Sequence, residues 1–204
     1  DTLSYTNSTG EKFSVETLKY ILSNISLHSE EGESITLKDI HFINLDERES
    51  LKIDINETNS KNYTSISFVM GINSEMNTEN NYVNEMFHTS MWWPAQANNP
   101  SAYHYMKLEG SVDTITQGYK VHTGPTMGID YSFNNNFTIS LNNTNQTSII
   151  AININMEINN WFQSPNIISL PKSAEGGMMM DMQKQEQVQE NGKEDVFSVS
   201  VSTR

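Results

Sequence analysis

The sequence predicts an all-β fold, a single antiparallel β-sandwich with a short helical insertion near the C-terminus. Three observations carry that expectation. Apolar and polar residues alternate in several short runs, the period-two signature of strands with one face on a core and one in water. The runs are separated by turns rich in Asn, Ser and Gly, residues that accept positive φ or supply local hydrogen bonds in tight turns. Strands follow at short spacing with no linker or internal repeat between them, which predicts one domain over residues 1–204.

Taken in order, Thr2 to Tyr5 reads as a short edge strand, and Asn7 to Gly10 as a turn. Ser14 to Leu27 mixes signals: Ser14 has the chemistry of a helix cap, while Tyr20, Ile21, Leu22, Ile25 and Leu27 look strand-like. A helical turn leading into a strand is the expectation there. Glu30 to Glu33 is an acidic loop, and Ile35 to Leu45 a strand. Leu51, Ile53 and Ile55 alternate with polar neighbours, as do Ile66, Phe68 and Met70, so both segments are expected as half-buried strands.

The longest alternation runs from Ile150 to Ile158, with Ile150, Ile152, Ile154, Met156 and Ile158 facing inward. Phe137, Ile139 and Leu141 precede it across an Asn-rich turn, which predicts a hairpin. A helix is expected over roughly Met178–Glu190, ended by Asn191-Gly192, because Gly is favoured just past a helix terminus. Phe197, Val199 and Val201 form a last strand.

Composition narrows the function. A net charge of −13 disfavours nucleic acid and anionic membrane, since neither gains from counterion release against an acidic surface. With no cysteine, disulfides, thiolate metal sites and cysteine nucleophiles are excluded from these residues. No apolar run approaches the ~18 residues needed for a spanning helix. Neither G-x-S-x-G, nor H-E-x-x-H, nor a phosphate-binding glycine loop occurs, so the protein is not expected to be an enzyme.

What chemistry the chain carries is concentrated between Met86 and Gly124, which holds Trp92, Trp93, His88, His104 and His122. Imidazole suits copper, zinc and nickel. If Tyr103 to Leu108 is a strand, His104, Met106 and Leu108 share one face. His104 and His122 flank a short connection from Gly110 to Gly118, so adjacent strands would bring them together. Each is equally readable as a hydrogen-bonded core histidine, and Trp92 and Trp93, ahead of Pro94, as large packing residues.

His88 is the weakest of the three histidines, and His28 and His41 fall in ordinary strand contexts. Met178, Met179, Met180 and Met182 read as gap-filling thioethers or as a soft-metal or oxidation site. Glu109 and Asp113 are candidates for a carboxylate pair. Asp39, Asp46, Glu47 and Glu49 lack the spacing of a regular calcium loop.

Five blocks then resemble the MbnP-like family. KYILSNISL (19–27) resembles its opening, YTSISFVMGINS (63–74) a strand ending in a turn, and MWW (91–93) with YHYMKLEG (103–110) its M-x-W … K-L-E-G block. VHTG (121–124) resembles a following H-x-G, and NGKEDVFS (191–198) its closing block. The family is similar to periplasmic or cell-surface bacterial proteins, including copper-binding proteins of methane oxidisers.

The resemblance implies export to the periplasm or cell surface, with an upstream cysteine as the place for a lipid anchor. It implies copper held by His104 and His122, Trp92 or Trp93 lining the site or oxidised, and a dihaem, MauG-like peroxidase as partner. Affinity for such a metal is expected to weaken below histidine's ordinary pKa of ~6.5. Three positions depart from the family pattern: Ala102 and Lys120 stand two residues before the histidines, where copper-binding members carry the modified tryptophan, and Ala95 replaces a second tryptophan. The alternative is a non-metal binding module of the cell envelope, recognising a protein or glycan through its loops with Trp92 and Trp93 as exposed anchors.

Overall fold

The computed structural model describes residues 2–55, 63–96, 100–139, 149–175 and 177–203. Twelve strands are described: β1 (Tyr5–Thr6), β2 (Lys12–Phe13), β3 (Thr17–Ser29), β4 (Ser34–Asn44), β5 (Tyr63–Met70), β6 (Trp92–Trp93), β7 (Ala102–Tyr103), β8 (Met106–Val112), β9 (Thr114–Thr123), β10 (Phe133–Thr138), β11 (Ile149–Met156) and β12 (Phe197–Thr203). One helix, α1 (Met182–Glu194), precedes the last strand. All pairings between these strands are antiparallel, and the architecture is the expected all-β sandwich with one short helix near the C-terminus.

The long strand β3 organises the main sheet. β4 pairs with it along one side from Lys19 to His28. On its other side the neighbour changes: β8 pairs with Thr17 to Tyr20, and β5 with Leu22 to Ser29. Ile21 sits at the changeover, its N–H donating to the Tyr105 carbonyl and its carbonyl accepting from Gly71. β9, β2 and β1 extend the sheet beyond β8, and β10 extends it beyond β5. The hairpin β11–β12 forms a separate small sheet, and Ile152, Ile154, Met156, Val199 and Val201 lean from it onto the main core.

A bulge explains how β3 keeps one face on that core. Leu18 and Leu22 enter it from even positions, Ile25 and Leu27 from odd ones. The register shifts between Ser23 and Ser26 on the β5 side, and Asn24 takes φ +52 there. One extra residue reverses the facing of every side chain after it, and Asn is among the few L-residues that tolerate a left-handed backbone. Ile21 faces the other way and joins Ile72, Phe87, Met91 and Tyr103 in a second buried cluster.

Four expectations are corrected. No helical turn precedes β3: the Ser14 hydroxyl accepts from Ser111 N–H and donates to Glu16, tying the chain to the end of β8 rather than capping a helix. Leu51 to Ile55 is not a strand. A 3-10 turn spans Arg48–Leu51, Leu51 and Ile55 are about half exposed, and Ile53 alone of the three packs on the core.

The Phe137-to-Ile150 hairpin does not form either, since β10 pairs with β5 while β11 pairs with β12. Leu141 and its turn lie outside the described residues, as does the side chain of Ile150. Ile158 packs on the core from a 3-10 turn, Ile158–Phe162. Finally, the helix runs four residues later than expected. Asp181 caps it by accepting from Lys184 N–H, and Asn191-Gly192 lie inside its last turns. Gly192 serves close approach there: a Cβ would fall 2.6 Å from the buried Trp161 ring. No described helix is long and apolar enough to cross a membrane.

Candidate metal centre

The hairpin β8–β9 turns tightly at Asp113, whose φ is +58, so Gly110 and Gly118 are strand residues rather than parts of the connection. Its register sets Lys107 opposite His122 and Met106 opposite Thr123. The expected strand from Tyr103 to Leu108 is interrupted at His104 and Tyr105. Tyr105 N–H still donates to the Thr123 carbonyl, and His104 N–H donates to Met91 instead. That diversion swings the His104 ring under β6. The result is a compact group in which the His104 ring lies 5.0 Å from His122 and 4.7 Å from Trp93, both edge-on.

Trp92 faces the other way, as alternate residues of a strand must. Its ring sits 6.0 Å from Tyr103 and 5.4 Å from His88. Tyr103 Oη accepts from Tyr82 N–H and also hydrogen-bonds with His88 Nδ1 at 2.9 Å. His28 bonds Ser34 and Ser67, and His41 Nε2 donates to the Ser50 carbonyl. Of the five histidines, only His104 and His122 meet.

Their hydrogen bonds fix which nitrogen is free. His104 Nδ1 lies 3.1 Å from the Met91 carbonyl, which can only accept, so Nδ1 carries the proton. Nε2 is then a bare lone pair, buried and without a partner; the Trp93 Nε1–H is likewise buried without one. His122 Nε2 lies 2.6 Å from Glu109 Oε1 and donates to it, leaving Nδ1 free. Burial holds the His104 pKa well below the ordinary value, with Lys107 and His122 adding to the effect. Burial also lowers His122, outweighing the Glu109 contact that pulls the other way. Both rings are therefore neutral at pH 7, the form that binds metals.

An acid-stability prediction follows. Unfolded imidazoles titrate near 6.5, above the folded values of His104 and His122. Below about pH 6.5 the unfolded chain gains protons that the folded one refuses. The contribution is thus complete above that pH and falls on acidification, by up to about 1.4 kcal/mol per pH unit for each histidine. Urea midpoints of the metal-free protein should drop between pH 6.5 and 5, before carboxylates titrate. A flat profile over that window would contradict the burial described here.

Three supporting residues had no signal in the sequence strong enough to find them. Glu109 does not form the expected carboxylate pair with Asp113. Instead it meets His122, and Asp113 pairs with Lys172 at 3.5 Å. Gln185 reaches from α1 to donate to the His122 and Met178 carbonyls, and its oxygen accepts from Gly124 N–H. Gly124 is required by Trp93, whose ring would lie 2.5 Å from a Cβ there, which accounts for glycine in the VHTG block.

Of the methionine cluster, Met178 is buried under Gln185 while Met180 and Met182 are largely exposed. Among the described residues no group of three or more histidine, aspartate or glutamate side chains gathers to hold a metal. Asp39, Asp46, Glu47 and Glu49 are not gathered into such a group.

The fold and this group define an antiparallel β-sandwich protein with two neutral imidazoles packed beneath a buried indole. The chain belongs to the MbnP family, whose model matches residues 1–181. The match ends at the cap of α1, so the helix, β12 and the block at 191–198 lie beyond it. No curated protein and no solved structure matches the chain.

Proposed function

We propose that this protein is an exported copper-binding member of its family, and that His104 Nε2 and His122 Nδ1 hold the ion. The observation that carries the reading is the orphaned Nε2 of His104. A buried polar atom without a partner is costly, and here it is a lone pair beside a second imidazole. Two bonds of about 2 Å to one ion place the donor nitrogens at most about 4 Å apart, a spacing that rings 5.0 Å between centroids accommodate. Two neutral imidazoles suit copper in its reduced state without a carboxylate, and water or a modified Trp93 would complete the set.

Bound copper would supply one-electron chemistry or be carried as cargo. The chain itself orients the imidazoles and keeps bulk water from them, so a carrier role fits better than catalysis. Burial against His104 favours Trp93 over Trp92 as the tryptophan to be oxidised, with the dihaem, MauG-like peroxidase as partner and a peroxide as oxidant. A loop-based envelope binding module is less well supported, because Trp93 is buried, Trp92 is half-buried and the histidines lie together.

Copper titration with intact-mass analysis of protein from its native host tests the reading. One copper per chain is the expected result. No uptake together with an unmodified tryptophan mass would overturn it.

A further inference from the structure

We propose that Glu109 is a positioning residue for the metal, holding the His122 ring so that Nδ1 rather than Nε2 is the donor; this rests on the copper-binding reading above. The register makes the contact. Glu109 stands opposite Lys120, and Lys107 opposite His122, so Glu109 and His122 are diagonal neighbours on one face of the hairpin. A glutamate facing a lysine ordinarily makes a surface ion pair. Here Lys120 forms none with Glu109 among the described residues, and Lys107 Nζ is taken by the Ser90 carbonyl at 2.5 Å. The side-chain hydrogen bond described for Glu109 goes instead to His122, at 2.6 Å.

The two imidazoles are thus supported in different ways. A backbone carbonyl orients His104, which presents Nε2; a side chain orients His122, which presents Nδ1. A partner that fixes a ligating ring and raises its basicity is worth 10–100-fold in metal affinity. The centre is therefore asymmetric, with one support that substitution can remove and one that it cannot.

The test uses copper(I) as probe, on wild-type protein and the Glu109→Gln and Glu109→Ala variants. Glu109→Gln keeps a hydrogen-bond acceptor without the charge, while Glu109→Ala removes both. Affinities from competition with a chelator should fall about 10–100-fold in Glu109→Ala, with Glu109→Gln between it and wild type. In the copper(I)-loaded wild type, proton–nitrogen correlation spectra should show the remaining ring proton on Nε2 of His122 and on Nδ1 of His104.

Equal affinity in Glu109→Ala, or a remaining proton on Nδ1 of His122, would overturn the positioning role while leaving copper binding intact. Thermal melts of the metal-free variants separate it from a purely structural role, which would lower the melting temperature without changing affinity. If wild-type protein takes up no copper(I), the metal reading itself falls and this proposal with it.

Discussion

Replacing His104 with leucine should abolish the proposed copper binding and leave the metal-free protein at least as stable as wild type. Both halves of that expectation come from the same atom. Nε2 is buried with no partner, so removing it relieves an unsatisfied polar group, a defect worth about 1–3 kcal/mol. Leucine is close enough in volume that repacking beside Trp93 should cost less than about 1.5 kcal/mol. The bond from Nδ1 to the Met91 carbonyl is lost, but that carbonyl still accepts from the residue 104 N–H at 2.7 Å, so nothing is orphaned. Loss of a ligand should exceed the 10–100-fold cost of losing a supporting partner. Isothermal titration with copper and a urea melt of the metal-free variant check the two halves. A variant that binds copper like wild type removes His104 from the site. A strongly destabilised one makes its role structural.

Gly110→Ala is the substitution expected to damage the fold most. A Cβ at this buried strand position would overlap the Ser14 carbonyl oxygen, lie 2.8 Å from its carbon and press on the Tyr119 ring at 3.0 Å. The obstacle is backbone, and it is pinned. Ser14 N–H donates to Ser111, the Ser14 carbonyl accepts from Tyr119 Oη, and Glu16 N–H donates to Glu109. Relief requires lifting the segment before β3 away from β8, so the cost should reach about 3 kcal/mol or more. For a chain of this size that is a fall in Tm of roughly 6–12 °C. Gly10→Ala is the control: φ is +85 there with nothing within 4 Å of the added carbon, and the strain alone costs about 1–2 kcal/mol. Calorimetry showing the two variants alike would mean that the Ser14–β8 junction yields easily.

The same glycine shows what a sequence reveals and what it hides. The K-L-E-G block marks the position, but only the crossing of the Ser14 backbone explains it. Strands with one wet face were legible from alternation alone, as in β11 and β12. β3 was legible only in its second half, with a helical turn expected before it, and the cause is physical. It is buried on both faces at mid-length and carries a bulge at Asn24, so its core residues Leu18, Ile21, Leu22 and Ile25 fall at i, i+3, i+4 and i+7. That spacing is a helix pattern produced by a kinked strand. Gly192 misled for a related reason, since close packing on Trp161 and helix termination both call for glycine.

The closeness of His104 and His122 was legible because they flank one hairpin. The choice of Trp93 over Trp92 depends on the facing of a two-residue strand, and Glu109 and Gln185 act through register and tertiary contact. None of these leaves a local trace.

Gln185 carries a consequence beyond packing. It belongs to a helix near the end of the chain, yet it grips the carbonyl of His122 and the amide of Gly124. Local opening of α1 and the placement of His122 are therefore two readings of one equilibrium. Any ion or ligand held by His122 would stabilise the closed helix by mass action, and fraying of the helix would loosen that ligand by the same free energy. The last two dozen residues, outside the matched family region, thus brace a pair of histidines that belongs to the middle of the chain.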